Sequence, residues 1–200
     1  MLYYERKFKK KGYNIIIGVD EAGIGPLAGP VVAAAVALEK ICFKNRIDDS
    51  KKLTANQREK AFLEIVQKST FGLGIVNEKV IDRVNVFCAT RIAMEKAIEE
   101  LINKIQPLPE KQIYILIDGN IKPNILFPFS NVIKGDAKSK SIASASILAK
   151  VTRDRIMNVY DKIYPHYGFL RHKGYPTEAH KRALRQYGLC MIHRKSFSCV

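Results

Sequence analysis

Apolar and polar positions along this chain change period several times, and each change predicts an element. Ile15, Ile16 and Ile17 form a short β-branched run, which predicts a buried first strand over about 13–20 that ends at Asp20 and Glu21. Val31 to Leu38 is apolar and small throughout. Ala33 to Ala35 would also suit a helix, but the preceding Gly29-Pro30 and the β-branched Val31, Val32 and Val36 favour a second strand. Thr54 is placed to cap a helix with Phe62, Ile65 and Val66 on its inner face. Phe71 to Val76 alternates weakly with glycines, predicting a short third strand near a sheet edge. From about Ile81 to Ile105, Val84, Phe87, Ala89, Ile92, Ala97, Ile98, Leu101 and Ile105 recur at helical spacing. They predict one long amphipathic helix, with Met94 as core filler, closed by Pro107 and Pro109.

The second half repeats the theme. Gln112 to Ile117 is an apolar run closed by Asp118-Gly119-Asn120, so another carboxylate stands at the end of a buried strand. Asn131-Val132-Ile133 predicts a fifth strand, and Lys134-Gly135-Asp136 turns into a helix from about Ser139 to Ile163. Ala143, Ile147, Ala149, Val151, Ile156 and Val159 are its expected buried positions. A last helix follows from about Glu178 to Tyr187, and residues 1–12 read as a loose, Lys-rich lead-in. This order predicts an α/β fold: a mixed sheet that starts as antiparallel meanders and continues through helical crossovers to parallel strands.

Two hundred residues suffice for one main domain, with a core at about 13–163 and a helical segment at about 164–200. Lys and Arg outnumber Asp and Glu by 34 to 19, and the net charge of +15 is spread along the chain. Such a surface suits a polyanion such as nucleic acid, since each neutralised phosphate releases counterions; it would also suit plain solubility or a membrane surface. Cys42, Cys88, Cys190 and Cys199 are scattered, so neither a zinc site nor a disulfide framework is expected, and a reducing cytoplasm is the default. No apolar run approaches the roughly 18 residues of a membrane span.

Asp20, Glu21, Asp118 and Asp136 all fall where strands end or a helix begins. Hard carboxylate oxygens suit Mg²⁺ or Mn²⁺, and two such ions about 3.5–4 Å apart can promote phosphodiester cleavage. Each acid taken alone also suits a turn, or, for Asp136, a favourable charge at a helix N-terminus. Lys51 and Lys52 beside Ser50 could hold phosphates; an ordinary solvated helix entry is the plainer alternative. Arg171 to Thr177 and the final His193-Arg194-Lys195-Ser196-Phe197 mix basic and aromatic residues that can grip a phosphate and stack on a sugar or base. A solvated turn with Tyr175 packed on the domain is the plainer alternative for the first of these.

Seven blocks then carry a resemblance: Gly-Val-Asp-Glu-Ala-Gly at 18–23, Gly-Pro-Leu-Ala-Gly-Pro at 25–30, Asp-Ser-Lys-Lys-Leu at 49–53, Ile-Asp-Gly-Asn at 117–120, Lys-Gly-Asp at 134–136, Ser144 to Asp154, and His-Lys-Gly-Tyr-Pro-Thr at 172–177. They resemble, in order and over nearly the whole chain, the motifs of bacterial type 2 ribonuclease H, ribonuclease HII. The resemblance implies an RNase H-like fold, a mixed five-stranded sheet flanked by helices with a helical C-terminal extension. It implies endonucleolytic cleavage of RNA in RNA–DNA hybrids and incision 5′ of ribonucleotides embedded in duplex DNA, leaving 5′-phosphate and 3′-OH ends. Asp20, Glu21, Asp118 and Asp136 would be the catalytic, metal-binding acids of a two-ion Mg²⁺ or Mn²⁺ site. Gly23, Ile24, Gly25, Lys51, Lys52, Ser146, Lys150, His172 and Tyr175 would contact substrate. The Gly-rich turn would read the ribose 2′-OH through its backbone, and Tyr175 would stack on the next deoxyribose. Hybrids and ribonucleotide-containing duplexes are the expected partners of a monomer, with a sliding clamp as a further candidate. The twelve-residue lead-in is too short for the extra N-terminal domain of type 3 enzymes. Ile24 departs from the family's basic residue, usually Arg, so a module that binds hybrids but cleaves weakly is the alternative. A basic structural protein, for instance one bound to ribosomal RNA, would leave the four acids unexplained. The terminal Ser198-Cys199-Val200 also departs from the family's usual Gly-Pro-Val.

Overall fold

The computed structural model describes residues 1–105 and 112–197. The helix stop expected at Pro107 and Pro109, the terminal Ser198-Cys199-Val200 and its Cys199 lie outside the described residues. One five-stranded sheet has the order β3-β2-β1-β4-β5, where β1 is Ile15–Ala22, β2 Val31–Leu38, β3 Ser69–Val76, β4 Ile113–Asp118 and β5 Phe129–Val132. The first three strands pair antiparallel; β4 runs parallel to β1, and β5 parallel to β4. The mixed sheet expected from the sequence is therefore present, with β3 on the edge.

Alternation along the strands sends two sets of side chains to two helical layers. Ile17, Val19, Val31, Ala33, Ala35, Ile115 and Ile117 face α3 (Glu78–Val84) and α4 (Val86–Ile105). Ala34 and Val36 face α2 (Ala55–Lys68) and α5 (Lys140–Ile163) on the other side. Thr54 caps α2 as expected, in a reciprocal box with Gln57. The helices approach closely because small residues allow it. A Cβ on Gly18 would lie 2.2 Å from the Ile142 nitrogen in α5, and one on Gly74 would lie 1.8 Å from the Ala93 carbonyl oxygen in α4.

Several expectations need correction. Residues 1–12 are no loose lead-in: Tyr3–Lys9 form a helix, α1, whose Phe8 stacks on Tyr114 and packs with Ile16 and Leu116. The long helix over 81–105 is two helices. Asn85 adopts a left-handed φ of 67° and its side chain accepts the Cys88 N–H, restarting the helix at Val86. Apolar spacing continues across the break, which is why periodicity alone ran through it. Phe87, expected inside, is 66% exposed, and Val66, Val159 and Ile133 are exposed too. The fifth strand ends at Val132, one residue before Ile133.

Beyond α5 the chain forms two short turns of helix, the second being α6 (Phe169–His172), then α7 (Glu178–Tyr187). These pack with Leu27, Ala28, Met157 and Ile192 into a separate apolar cluster under the Gly-rich turn. Among the described residues no helix is long and apolar enough to cross a membrane.

Candidate active site

Val19 and Ile117 are register partners in the parallel β1–β4 pair, so Asp20 and Asp118 leave adjacent strand ends side by side. Both occupy the alternation that faces α5, whereas Glu21 leaves toward α4. Asp136 arrives from the other direction, in the 3-10 turn Gly135–Ala137 just before α5. That turn is tied to the strand end by the Gly135 N–H, which donates to Asp118 Oδ1 at 2.6 Å. One carboxylate oxygen from each of Asp20, Asp118 and Asp136 then lies within 4.8 Å of the others. The fourth acid stands beside this triad: the Glu21 N–H donates to Asp20 Oδ1 at 2.7 Å, and Glu21 lines a neighbouring cavity.

Crowding of like charge in a buried place controls the protonation of the site. Burial first, then the charges of Glu21 and Asp118, push Asp20 well above the ordinary carboxylate value, against hydrogen bonds from the Glu21 N–H and Ser146. Glu21 is raised to about 7 by burial and then by Asp118. Asp136 is raised by burial and then by Asp118 and Asp49. Burial works against the Lys51 ammonium, but Asp20, Asp49, Asp136 and Asp118 outweigh it and raise its pKa. Three converging hard oxygen donors that hold protons too tightly fit a divalent cation, whose charge would relieve the repulsion.

The expected substrate residues are spread around this centre. Ser146 is buried and donates its hydroxyl to Ser50 Oγ at 2.9 Å. Lys52 reaches outward, 3.7 Å from Asp48. Lys150 donates to Asp154 at 2.7 Å while lying 5.9 Å from the Tyr175 ring centroid. Tyr175 is 41% exposed. A Cβ on Gly25 would lie 3.8 Å from the Tyr175 ring, so the turn 23–25 and this tyrosine stand together. Ile24 lines a cavity of about 530 Å³ with Glu21, Asp118, Phe87, Arg91 and Lys122. His172, by contrast, is 9% exposed, its ring occupied by the Tyr167 carbonyl and the Gly174 N–H. Its place is beneath the loop that carries Tyr175.

Other contributors take a role that the sequence reading did not give them. The final segment is partly buried: His193 and Arg194 are buried while Lys195 and Ser196 are exposed, and Arg194 donates to the carbonyls of Gly23, Ile24 and Gly29. Arg153 does the same for Ala28, Pro30 and Lys173. Burial lowers both guanidinium groups, Arg153 to about 10 and Arg194 to about 9, so both stay charged at neutral pH. Cys190 and His193 also meet, Sγ to Nδ1 at 3.1 Å, and His193 continues to His180 at 3.0 Å. Their three-residue spacing was the available signal.

Known proteins share both the sequence and this arrangement of strands and helices. The family model for Ribonuclease HII matches residues 17–200. The chain belongs to the ribonuclease HII family. Among its relatives, Ribonuclease HII of Acetivibrio thermocellus is 51% identical over 199 residues, 99% of this chain and 75% of that one. Ribonuclease HII of Acholeplasma laidlawii is 48% identical over 200 residues, all of this chain and 95% of that one. The crystal structure of ribonuclease H2 from Pyrococcus horikoshii superposes with a TM-score of 0.72 at 27% identity, covering 92% of this chain and 94% of that one. Membership in the ribonuclease HII family makes this chain a metal-dependent endoribonuclease with an RNase H-like fold, from a family that cleaves the RNA of RNA–DNA hybrids.

Proposed function

We propose that this enzyme also incises duplex DNA on the 5′ side of an embedded ribonucleotide, leaving 5′-phosphate and 3′-OH ends. The observation that carries the reading is the convergence of Asp20, Asp118 and Asp136 beside a turn that packs against the half-exposed Tyr175. The acids would hold a pair of Mg²⁺ or Mn²⁺ ions, which supply activation of the attacking water and charge stabilisation at the leaving oxygen. Glu21 and Asp118 reach toward the cavity at Ile24, so the scissile phosphate would lie between the acids and the turn. The turn, whose side chains at 23 and 25 are absent, lets a ribose approach its backbone, and a backbone donor can recognise the 2′-OH. Tyr175 offers a face for the following sugar, and Lys51, Lys52 and Lys150 offer charge for flanking phosphates.

Cleavage-site mapping on a duplex with one ribonucleotide, with Mg²⁺ and Mn²⁺ in turn, tests this. A single cut 5′ of the ribonucleotide is expected, and Asp136→Asn should abolish it. Binding of the duplex without any cut would favour the hybrid-binding module that Ile24 suggests.

A further inference from the structure

Two arginines are among the largest fully buried side chains of the molecule, Arg153 at 1% and Arg194 at 0% exposure. Both spend their donors on one short stretch of backbone. Arg194 Nη2 reaches the Gly23 carbonyl at 2.6 Å and Gly29 at 2.9 Å, Nη1 reaches Ile24 at 2.9 Å, and Nε reaches Gly29 at 3.0 Å. Arg153 adds Pro30 at 2.9 Å and Ala28 at 3.0 Å, and its third nitrogen takes the Lys173 carbonyl at 3.0 Å, two residues before Tyr175.

A planar trans peptide points its C=O and the following N–H in opposite directions. Holding the Gly23 and Ile24 carbonyls inward therefore turns the Ile24 and Gly25 N–H groups outward. Among the described residues, neither N–H is taken up by a protein acceptor. The outward side is also where Tyr175 stands, since a Cβ on Gly25 would contact its ring at 3.8 Å. Space reinforces the lock: a Cβ on Gly23, whose φ is 110°, would come within 2.4 Å of Arg153 Nε.

We propose that Arg194, seconded by Arg153, is a positioning residue for ribonucleotide selectivity: from the C-terminal segment it aims the Ile24 and Gly25 N–H groups at the 2′-oxygen. This rests on the reading of the turn as the 2′-OH reader. The role needs arginine, because a guanidinium carries five donors in a rigid fork while an ammonium is a single mobile point. The substitution Arg194→Lys would keep the buried charge but could not span the Gly23, Ile24 and Gly29 carbonyls together.

The test uses Asp136→Asn as a non-cleaving parent, with Mg²⁺ present, and two duplexes differing only in one 2′-OH. The parent should bind the ribonucleotide duplex at least about tenfold more tightly than the all-DNA one, the scale of one well-placed hydrogen bond. Adding Arg194→Lys should shrink that ratio to near one while leaving all-DNA affinity unchanged, a split that general loosening would not give. Amide resonances of Ile24 and Gly25 in the Arg194 protein provide the second measurement, independent of whether Arg194→Lys folds. They should shift with the ribonucleotide duplex and not with the all-DNA one. No preference in the parent, or equal amide shifts with both duplexes, would overturn the 2′-OH reading and the arginine's role with it. A preference retained in Arg194→Lys would overturn the arginine's role alone.

Discussion

Ile24 stands where the resemblance read from the sequence implies a basic residue, in the part closest to the chemistry. Its side chain lines a cavity with Glu21, Asp118, Phe87, Arg91 and Lys122, so the wall there mixes apolar groups with acids and cations. Backbone contacts are unaffected by that exchange, but a charged contact to phosphate is missing from position 24. Ile24→Arg is expected to raise kcat/KM on a single-ribonucleotide duplex by the equivalent of about 1–3 kcal/mol, the worth of a charged hydrogen bond. Equal steady-state kinetics for the two proteins would show that phosphate is not held at this position. The acids obey a different residue-scale rule. Because burial and mutual repulsion raise Asp20, Glu21 and Asp136, Asp136→Asn is expected to cost activity without costing the fold. Its melting temperature without divalent ions should match or exceed that of the wild type, measurable by calorimetry in a chelator.

At the scale of elements, the site depends on how closely α5 lies on β1, since Asp136 precedes one and Asp20 lies two residues before the end of the other. Gly18 sets that distance: its missing Cβ would collide with Ile142 N and Ser141 C at 2.2 Å, backbone that cannot swing aside. Gly18→Ala should destabilise by about 1–3 kcal/mol or more, as overpacking does, and lower activity in the folded fraction as well. Thermal melting paired with cleavage assays would check both effects. The α2 helix is anchored differently, through Glu64. Burial opposes its ionisation, but hydrogen bonds from Lys68, Lys44 and Asn45 prevail and bring it to about 2. A carboxyl lowered on folding stabilises above its unfolded pKa and loses that contribution as pH falls toward the folded value. The melting-temperature deficit of Glu64→Gln should therefore be largest above about pH 5 and close as the pH drops toward about 2. A deficit constant across this range would assign the effect to packing instead.

For the whole molecule, a net charge of +15 surrounds an acidic centre. The field brings a polyanion to a cluster of carboxylates that would repel it alone. Duplex affinity should fall steeply with salt, by about a thousandfold between roughly 50 and 200 mM if some six phosphates are engaged. A titration series that gave a nearly flat dependence would mean that the basic surface lies away from the substrate. The C-terminal segment belongs to this scale too. It crosses back beneath the Gly-rich turn, with the Gly29 N–H on the Ile192 carbonyl at 2.8 Å and the Arg194 N–H on the Leu27 carbonyl at 2.9 Å.

Local order set by side-chain type was legible without coordinates. β-branched runs at 15–17 and 31–36, the Thr54 cap and the small-residue helix after Asp136 each state a preference that neighbours in sequence suffice to express. The acids could be read because carboxylates recur at strand ends, and the family motifs made their set specific. What periodicity could not show was the break at Asn85, where one side chain overrides apolar spacing that runs on unchanged. Composition likewise could not show which way the basic tail faces. His193, Arg194 and Phe197 read as part of a basic and aromatic grip on phosphate, but burial of Arg194 depends on the Gly23, Ile24 and Gly29 carbonyls, far upstream in the chain, being folded over it. Parallel pairing of β1 with β4 is the same kind of fact. Sequence alone placed Asp20 and Asp118 each at a strand's end, and only the tertiary register made those ends neighbours on one face, leaving Glu21 to the other.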